Sequence, residues 1–199
     1  MLREELRAAD VAPVLAALAR LHPYTWKNKD DSEVMDVVAS FLGALKITDP
    51  EAFMRDFTTT IPLPGHKDPI VYVPFVPGEG TSSELIGQLE VFAHENVHVE
   101  QMERIGKAGF STAYLVVQAA RRRFEVEAYT VSLEVSFLLR GTLPWEEYTG
   151  FLKSYGLSSR QRGIAKKALE KAAHRIETGD IRSRQALMVL EVLKRIGRM

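Results

Sequence analysis

Apolar residues recur at helical spacing from Leu2 to Leu21, a run stopped by His22-Pro23, and again from Ser32 to Leu45 behind possible caps at Asp30, Asp31 and Ser32. Asp49-Pro50-Glu51 opens a shorter helix through about Arg55, with Asp suited to the cap and Pro to the first helical position. The period then changes. Phe57 to Ile61 is rich in β-branched residues, Pro62 to Pro69 holds turn residues, and Ile70 to Val76 is a second β-prone run, so a hairpin or a small sheet is expected. Pro74 cannot donate to a ladder, which predicts that the Ile70–Val76 strand lies at an edge or carries a bulge.

Helical spacing returns after the loop from Pro77 to Ser82. Ser82 or Ser83 can cap a helix from about Glu84 to Ile105, in which Leu85, Leu89, Phe92, Ala93 and Val97 supply apolar contacts around much of the circumference. Gly106 and Gly109 allow it to stop. A long helix is expected from about Ser111 to Leu139, with Val117, Ala120, Phe124, Ala128, Val131, Val135 and Leu138 forming a continuous stripe. Gly141 and Pro144 end it, and three further helices follow over about 145–155, 159–177 and 182–196. The expected class is α+β, predominantly helical, with a small β-hairpin or sheet ahead of the Glu84–Ile105 helix and a helical C-terminal region. No linker or repeat divides the chain, so one domain over 1–199 is expected, with segments 1–56, 57–139 and 140–199.

Composition narrows the chemistry more than the fold. With no cysteine, disulfides, thiolate ligands and a cysteine nucleophile are all excluded, and any metal must be held by His, Asp or Glu. Net charge is zero but unevenly placed: residues 1–100 carry 8 Lys/Arg against 16 Asp/Glu, and residues 101–199 carry 18 against 10. Mutual neutralisation of packed halves accounts for this as readily as a charged partner does. The start, Met1-Leu2-Arg3-Glu4-Glu5, lacks the order of a signal peptide, and no apolar run is long enough to span a bilayer, so a soluble cytoplasmic protein without membrane or nucleic-acid partners is expected.

Against that background His94-Glu95-Asn96-Val97-His98 stands out. On a helix it places two imidazoles one turn apart on one face, with a carboxylate beside them, which suits two ligands of a tetrahedral zinc and a general base. A catalytic zinc needs a third protein ligand. A third histidine in the metzincin manner would require glycine at position 101 and histidine at 104, where the chain has Gln101 and Arg104. The other common source is a carboxylate on a following helix, and Phe124-Glu125-Val126-Glu127-Ala128-Tyr129 offers two, on opposite sides of the apolar stripe. Periodicity does not choose between Glu125 and Glu127. Both can also be read as surface partners of Arg121 and Arg123 in the Arg121-Arg122-Arg123 run, itself expected on a solvated face.

The pairing of His-Glu-x-x-His with a downstream Phe-Glu-x-x-Ala resembles the gluzincin zinc metallopeptidases, particularly the Phe-Glu-x-x-Ala-Asp form of CAAX-protease-like and HtpX-like enzymes. The resemblance spans roughly Phe57 to Leu139. It implies a zincin-like core, Zn²⁺ held by His94, His98 and Glu125, Ala128 as a small helix contact, and Tyr129 in place of the aspartate that supports a ligand histidine. It further implies a peptide or protein substrate, hydrolysed with Glu95 as general base, and an edge strand for the substrate to pair with, here Ile70–Val76. Tyr129 is carried forward as a catalytic candidate. His66, His174, Tyr72 and Tyr114 are other possible donors to an oxyanion, although His22, His66 and His174 read first as surface residues. The competing reading is a structural or interaction protein that retains the scaffold without turnover.

Overall fold

The computed structural model of the chain describes residue 2 and residues 4–44, 49–63 and 65–199, apart from the side chains at 41 and 56. Among the described residues the order is α1 (Ala8–Leu21), β1 (Thr25–Asn28), α2 (Glu33–Ala44), α3 (Pro50–Asp56), β2 (Thr59–Ile61), β3 (Ile70–Val73), α4 (Ser82–Ile105), α5 (Lys107–Val116), α6 (Gln118–Arg140), α7 (Trp145–Phe151), a 3-10 turn (Leu152–Tyr155), α8 (Ser159–Glu177) and α9 (Arg184–Arg195). The α+β, mainly helical expectation holds, and none of the described helices is long and apolar enough to cross a membrane. The helix expected to reach Leu45 is α2, with Leu45 itself outside the described residues.

The expected hairpin is present, since β2 and β3 pair antiparallel, but the sheet has a further strand and a different order from the one expected. Its order is β1-β3-β2, with β1 parallel and β2 antiparallel to β3. The strand β1 has no alternating pattern to reveal it and was not expected. Because β3 ends at Val73, Pro74 falls outside the ladder, and the strand occupies the centre rather than an edge. All four residues of β3 are buried. Ile70 and Tyr72 join Met35, Ala39 and Phe53 under α2 and α3, whereas Val71 and Val73 join the main core. Burial on both faces explains a continuous apolar run. The sheet edge that meets the motif helix is β2, whose residues are half-buried.

The main core gathers Val14 and Leu18 of α1, Leu89 and Phe92 of α4, Ala128 and Val135 of α6, and Val189 and Leu193 of α9. Helices α4 and α6 lie along each other, and Ala128, with no exposed surface, lets them approach. A second cluster, including Leu133, Leu152, Leu169 and Ile176, seats α7 and α8 on the far side of α6. The helix α1 starts later than expected: residues 4–7 are non-helical, and Leu6 N–H donates to Ser82 Oγ at 2.9 Å. With Ser82 engaged in this way, Thr81 caps α4, its backbone N–H donating to Glu84 Oε2 at 2.6 Å in a capping box.

The single long helix expected over Ser111–Leu139 is two. Val117 is extended (φ −110°, ψ 100°), and α5 closes before α6 opens. Arg121 explains why the break is stable. Its guanidinium donates to the carbonyls of Tyr114 (2.6 Å) and Leu115 (2.6 Å) at the end of α5 and of Tyr155 (2.8 Å) in the 3-10 turn. These are the acceptors that a terminating helix leaves unpaired. Arg121 is therefore buried, contrary to the solvated face expected for the arginine run, and Val117, counted in the apolar stripe, is exposed. Gly106, with φ +80°, makes the tight turn from α4 into α5.

Candidate metal centre

His94 and His98 project from the middle of α4 and Glu125 from the facing side of α6. All three are buried, with 6%, 6% and 1% of their surfaces exposed. One ligand atom from each lies within 4.8 Å of the others. The closest separations are 3.5 Å from His94 Nε2 to Glu125 Oε2 and 3.6 Å from His98 Nε2 to Glu125 Oε1. Ligand atoms about 2.0–2.1 Å from a tetrahedral zinc stand roughly 3.3 Å apart, so little movement separates this arrangement from a coordination sphere. Glu127 is elsewhere: its carboxylate meets Arg104 at 2.9 Å and Gln101 at 3.0 Å. Glu125 faces the imidazoles and does not pair with Arg121.

The donor set fits a divalent metal on electrostatic grounds. Glu125 Oε2 is a buried carboxylate oxygen without a hydrogen-bond partner. Glu95 is also buried, and among the described residues no Lys or Arg side chain bonds either carboxylate. Two buried anions without a lysine or arginine partner are costly, and a dication held by Glu125 and the two imidazoles would offset their charge. Burial by itself raises the Glu125 carboxyl, but the two imidazoles and the Tyr114 hydroxyl outweigh it and hold the pKa below its ordinary value. At His94, burial disfavours the charged ring, yet Glu125 and Glu95 hold its pKa above the usual range.

Partners on the far ring nitrogens orient both imidazoles. His98 Nδ1 lies 2.8 Å from Gln101 Oε1. The amide of Gln101 cannot be the other way round, because its nitrogen donates to the Phe124 carbonyl (3.1 Å) and Glu127 Oε2 (3.0 Å). His98 must then donate from Nδ1, which leaves the Nε2 lone pair facing Glu125. His94 Nδ1 faces Ser132 Oγ at 3.4 Å. Tyr129 packs its ring against His94 with centroids 4.6 Å apart, and its hydroxyl meets that of Tyr155 at 3.0 Å. His94 is thus backed by an aromatic ring and a serine.

Glu95 accepts a hydrogen bond from Thr60 Oγ1 at 2.6 Å, which ties it to edge strand β2. Tyr114, at the end of α5, donates to Glu125 Oε1 at 2.5 Å. Burial, with the nearby carboxylates, raises the pKa of Tyr114, Tyr129 and Tyr155, so all three remain protonated donors at neutral pH. The other proposed donors lie away from the centre. Tyr72 is buried beneath α2 and α3, His66 is exposed in the loop before β3, and His174 is exposed beside Glu177. His22, expected at the surface, is buried after α1, with Nδ1 2.6 Å from Glu103.

Thr60, Gln101, Ser132 and Tyr155 were not anticipated. Ser132 follows Glu125 by seven and Tyr129 by three, so helical spacing could have placed it on the same face. Gln101 stands three residues past His98 and could have been found likewise. Nothing local marks Thr60 or Tyr155, which arrive from a strand and a turn distant in sequence. No protein-family model matches the chain, and neither a curated protein nor a solved structure does.

Proposed function

We propose that the protein is a zinc-dependent peptidase with a zincin-like centre in which His94, His98 and Glu125 hold the metal. The observation that carries this reading is the buried Glu125 carboxylate, its Oε2 unpartnered, facing the Nε2 atoms of His94 and His98, with a second buried carboxylate, Glu95, next to His94 on the motif helix. A bound zinc supplies a Lewis acid that acidifies water and polarises a carbonyl. Glu95 takes the proton from the attacking water and delivers it to the leaving amine, and the Thr60 hydroxyl holds its carboxylate in place. Tyr155 borders the cleft on both sides of Glu95 and is the phenol best placed to donate to the developing oxyanion. Tyr129 acts through its neighbours, with its ring bracing His94 and its hydroxyl orienting Tyr155.

The experiment is metal analysis of the purified protein after chelation and zinc readdition, followed by hydrolysis of a mixed peptide pool. The reading expects one zinc per chain, turnover by the wild type, and retained zinc with turnover lost in Glu95→Gln. Equal hydrolysis by Glu95→Gln would remove Glu95 from the mechanism. Stoichiometric zinc without any hydrolysis would favour a structural or interaction protein.

A further inference from the structure

The cleft at Glu95 has two arms of opposite character. One passes His98 and Glu125 into a cavity of about 250 Å³ walled by Val38, Phe53, Phe57, Ile61, Phe110 and Leu115. Among the described residues no lysine or arginine lines it, and its carboxylates are Glu95 and Glu125 at the centre itself. An apolar space of roughly 150 Å³ takes a benzene ring, so this arm accommodates an aromatic or branched aliphatic side chain. The other arm runs past His94 and is larger, about 570 Å³. Among the described residues it carries Glu79, Glu84, Glu90 and Glu147 against one cation, Arg140.

Arg140 does not relieve that excess beyond one charge: it lies 3.1 Å from Glu90 and gives its remaining donors to Ser83. Among the described residues neither Glu79 nor Glu147 has a cationic partner, and both are exposed. Three of these four glutamates belong to residues 1–100, the acidic half of the chain, so part of the charge asymmetry is concentrated on the wall of the cleft. A concave surface of one sign focuses its field on what enters it. Both arms end at Glu95, and Phe57, Thr58 and Tyr155 border both. A chain bound across the centre therefore meets an apolar receptacle on one side and an anionic channel on the other.

We propose, on the reading of the centre as a peptidase, that its substrates are cationic peptides. They present a bulky apolar side chain on the His98 side of the scissile bond and lysine or arginine on the His94 side. Anionic segments are rejected by the same field that attracts these.

The test measures binding as well as cleavage. Three labelled decapeptides are titrated by fluorescence anisotropy into zinc-loaded, full-length Glu95→Gln protein: one with a phenylalanine and two lysines flanking the central bond, one with the lysines changed to glutamate, and one with the phenylalanine changed to serine. The first should bind at least about tenfold more tightly than either of the others, and the lysine-to-glutamate gap should shrink at high salt. Adding Glu79→Lys and Glu147→Lys, both at exposed positions, should reverse the charge preference, and Val38→Phe should abolish the preference for phenylalanine. Equal binding of the lysine and glutamate peptides, an unchanged ranking in the double-lysine variant, or no binding of any peptide overturns the inference. If the ranking appears but the wild type cleaves none of the three, the recognition stands and the hydrolytic reading falls. Cleavage of all three at equal rates leaves hydrolysis intact and overturns the recognition.

Discussion

The side-chain amide of Gln101 accepts the Nδ1 proton of His98 at 2.8 Å and is itself anchored to the Phe124 carbonyl and Glu127. One residue thereby joins the motif helix to the helix that carries Glu125 and selects the tautomer whose Nε2 can bind a metal. Gln101→Met keeps the approximate volume and removes the acceptor. It should lower zinc affinity by about 10–100-fold, the usual cost of losing an outer partner of a ligand histidine, with helical content unchanged. Competition against a chromophoric chelator measures this, and an affinity equal to wild type would show that the ring needs no such support.

Asn96, between the two motif histidines, faces away from the centre. Its Nδ2 donates at 3.0 Å to both the Leu18 and the His22 carbonyls at the end of α1. A fully buried amide bound to two main-chain carbonyls, of which Leu18 also accepts the His22 N–H, is a structural tie. Asn96→Leu should destabilise the protein by about 1–3 kcal/mol in urea unfolding, since the His22 carbonyl loses this donor and the Leu18 carbonyl keeps only the His22 N–H, while zinc stoichiometry remains unaltered. A midpoint indistinguishable from wild type would place the hold on α1 elsewhere.

How far the chain could be read in advance depended on where each piece of information resides. The histidines, Glu95 and the two candidate glutamates were legible because helical spacing is local, and the same spacing set the extents of α4 and α8 to within about two residues. The choice of Glu125 over Glu127 was not legible from the helical wheel. It follows from Arg104 and Gln101 drawing Glu127 away, a tertiary arrangement. The break at Val117 escaped for a similar reason: an apolar stripe continues across it, and the acceptors of α5 are satisfied by Arg121, a residue whose neighbours in sequence suggested solvent. The edge position expected of β3 depends on Pro74 lying within the strand, whereas the ladder ends one residue earlier. Thr60 and Tyr155 reach the centre through long-range packing that no local pattern records.

Glu134 is a further case of a buried carboxylate with a structural task. It is 1% exposed and accepts from the Arg182 (3.2 Å) and Ser183 (2.8 Å) backbone N–H groups at the start of α9, from the Ser183 hydroxyl (2.5 Å), and from Arg175 of α8 (2.6 Å). One side chain of α6 thus holds two later helices. Glu134→Ala should cost about 3–5 kcal/mol, as expected when one partner of a buried charged pair is removed and the other donors are stranded. Urea unfolding at neutral pH reads the loss, and a change below about 1 kcal/mol would mean that water replaces the carboxylate, as for an exposed pair.

Lys29 makes stability depend on alkaline pH. It is fully buried after β1, with Nζ donating to the Phe53 carbonyl at 2.6 Å and lying 3.7 Å from the centre of the Phe53 ring. Burial penalises the ammonium and, against a weaker pull from Glu95, lowers its pKa from 10.5 to about 8. Below that value both folded and unfolded chains are protonated and the full penalty is present. Between about 8 and 10.5 the unfolded chain holds a proton that the folded protein has released, so stability rises with pH across this window. From about pH 7 to about pH 9.5 the wild type should gain on the order of 2 kcal/mol relative to Lys29→Met, which lacks the titrating group. Parallel pH profiles for the two proteins in urea unfolding would show that Lys29 keeps an ordinary pKa in the folded state.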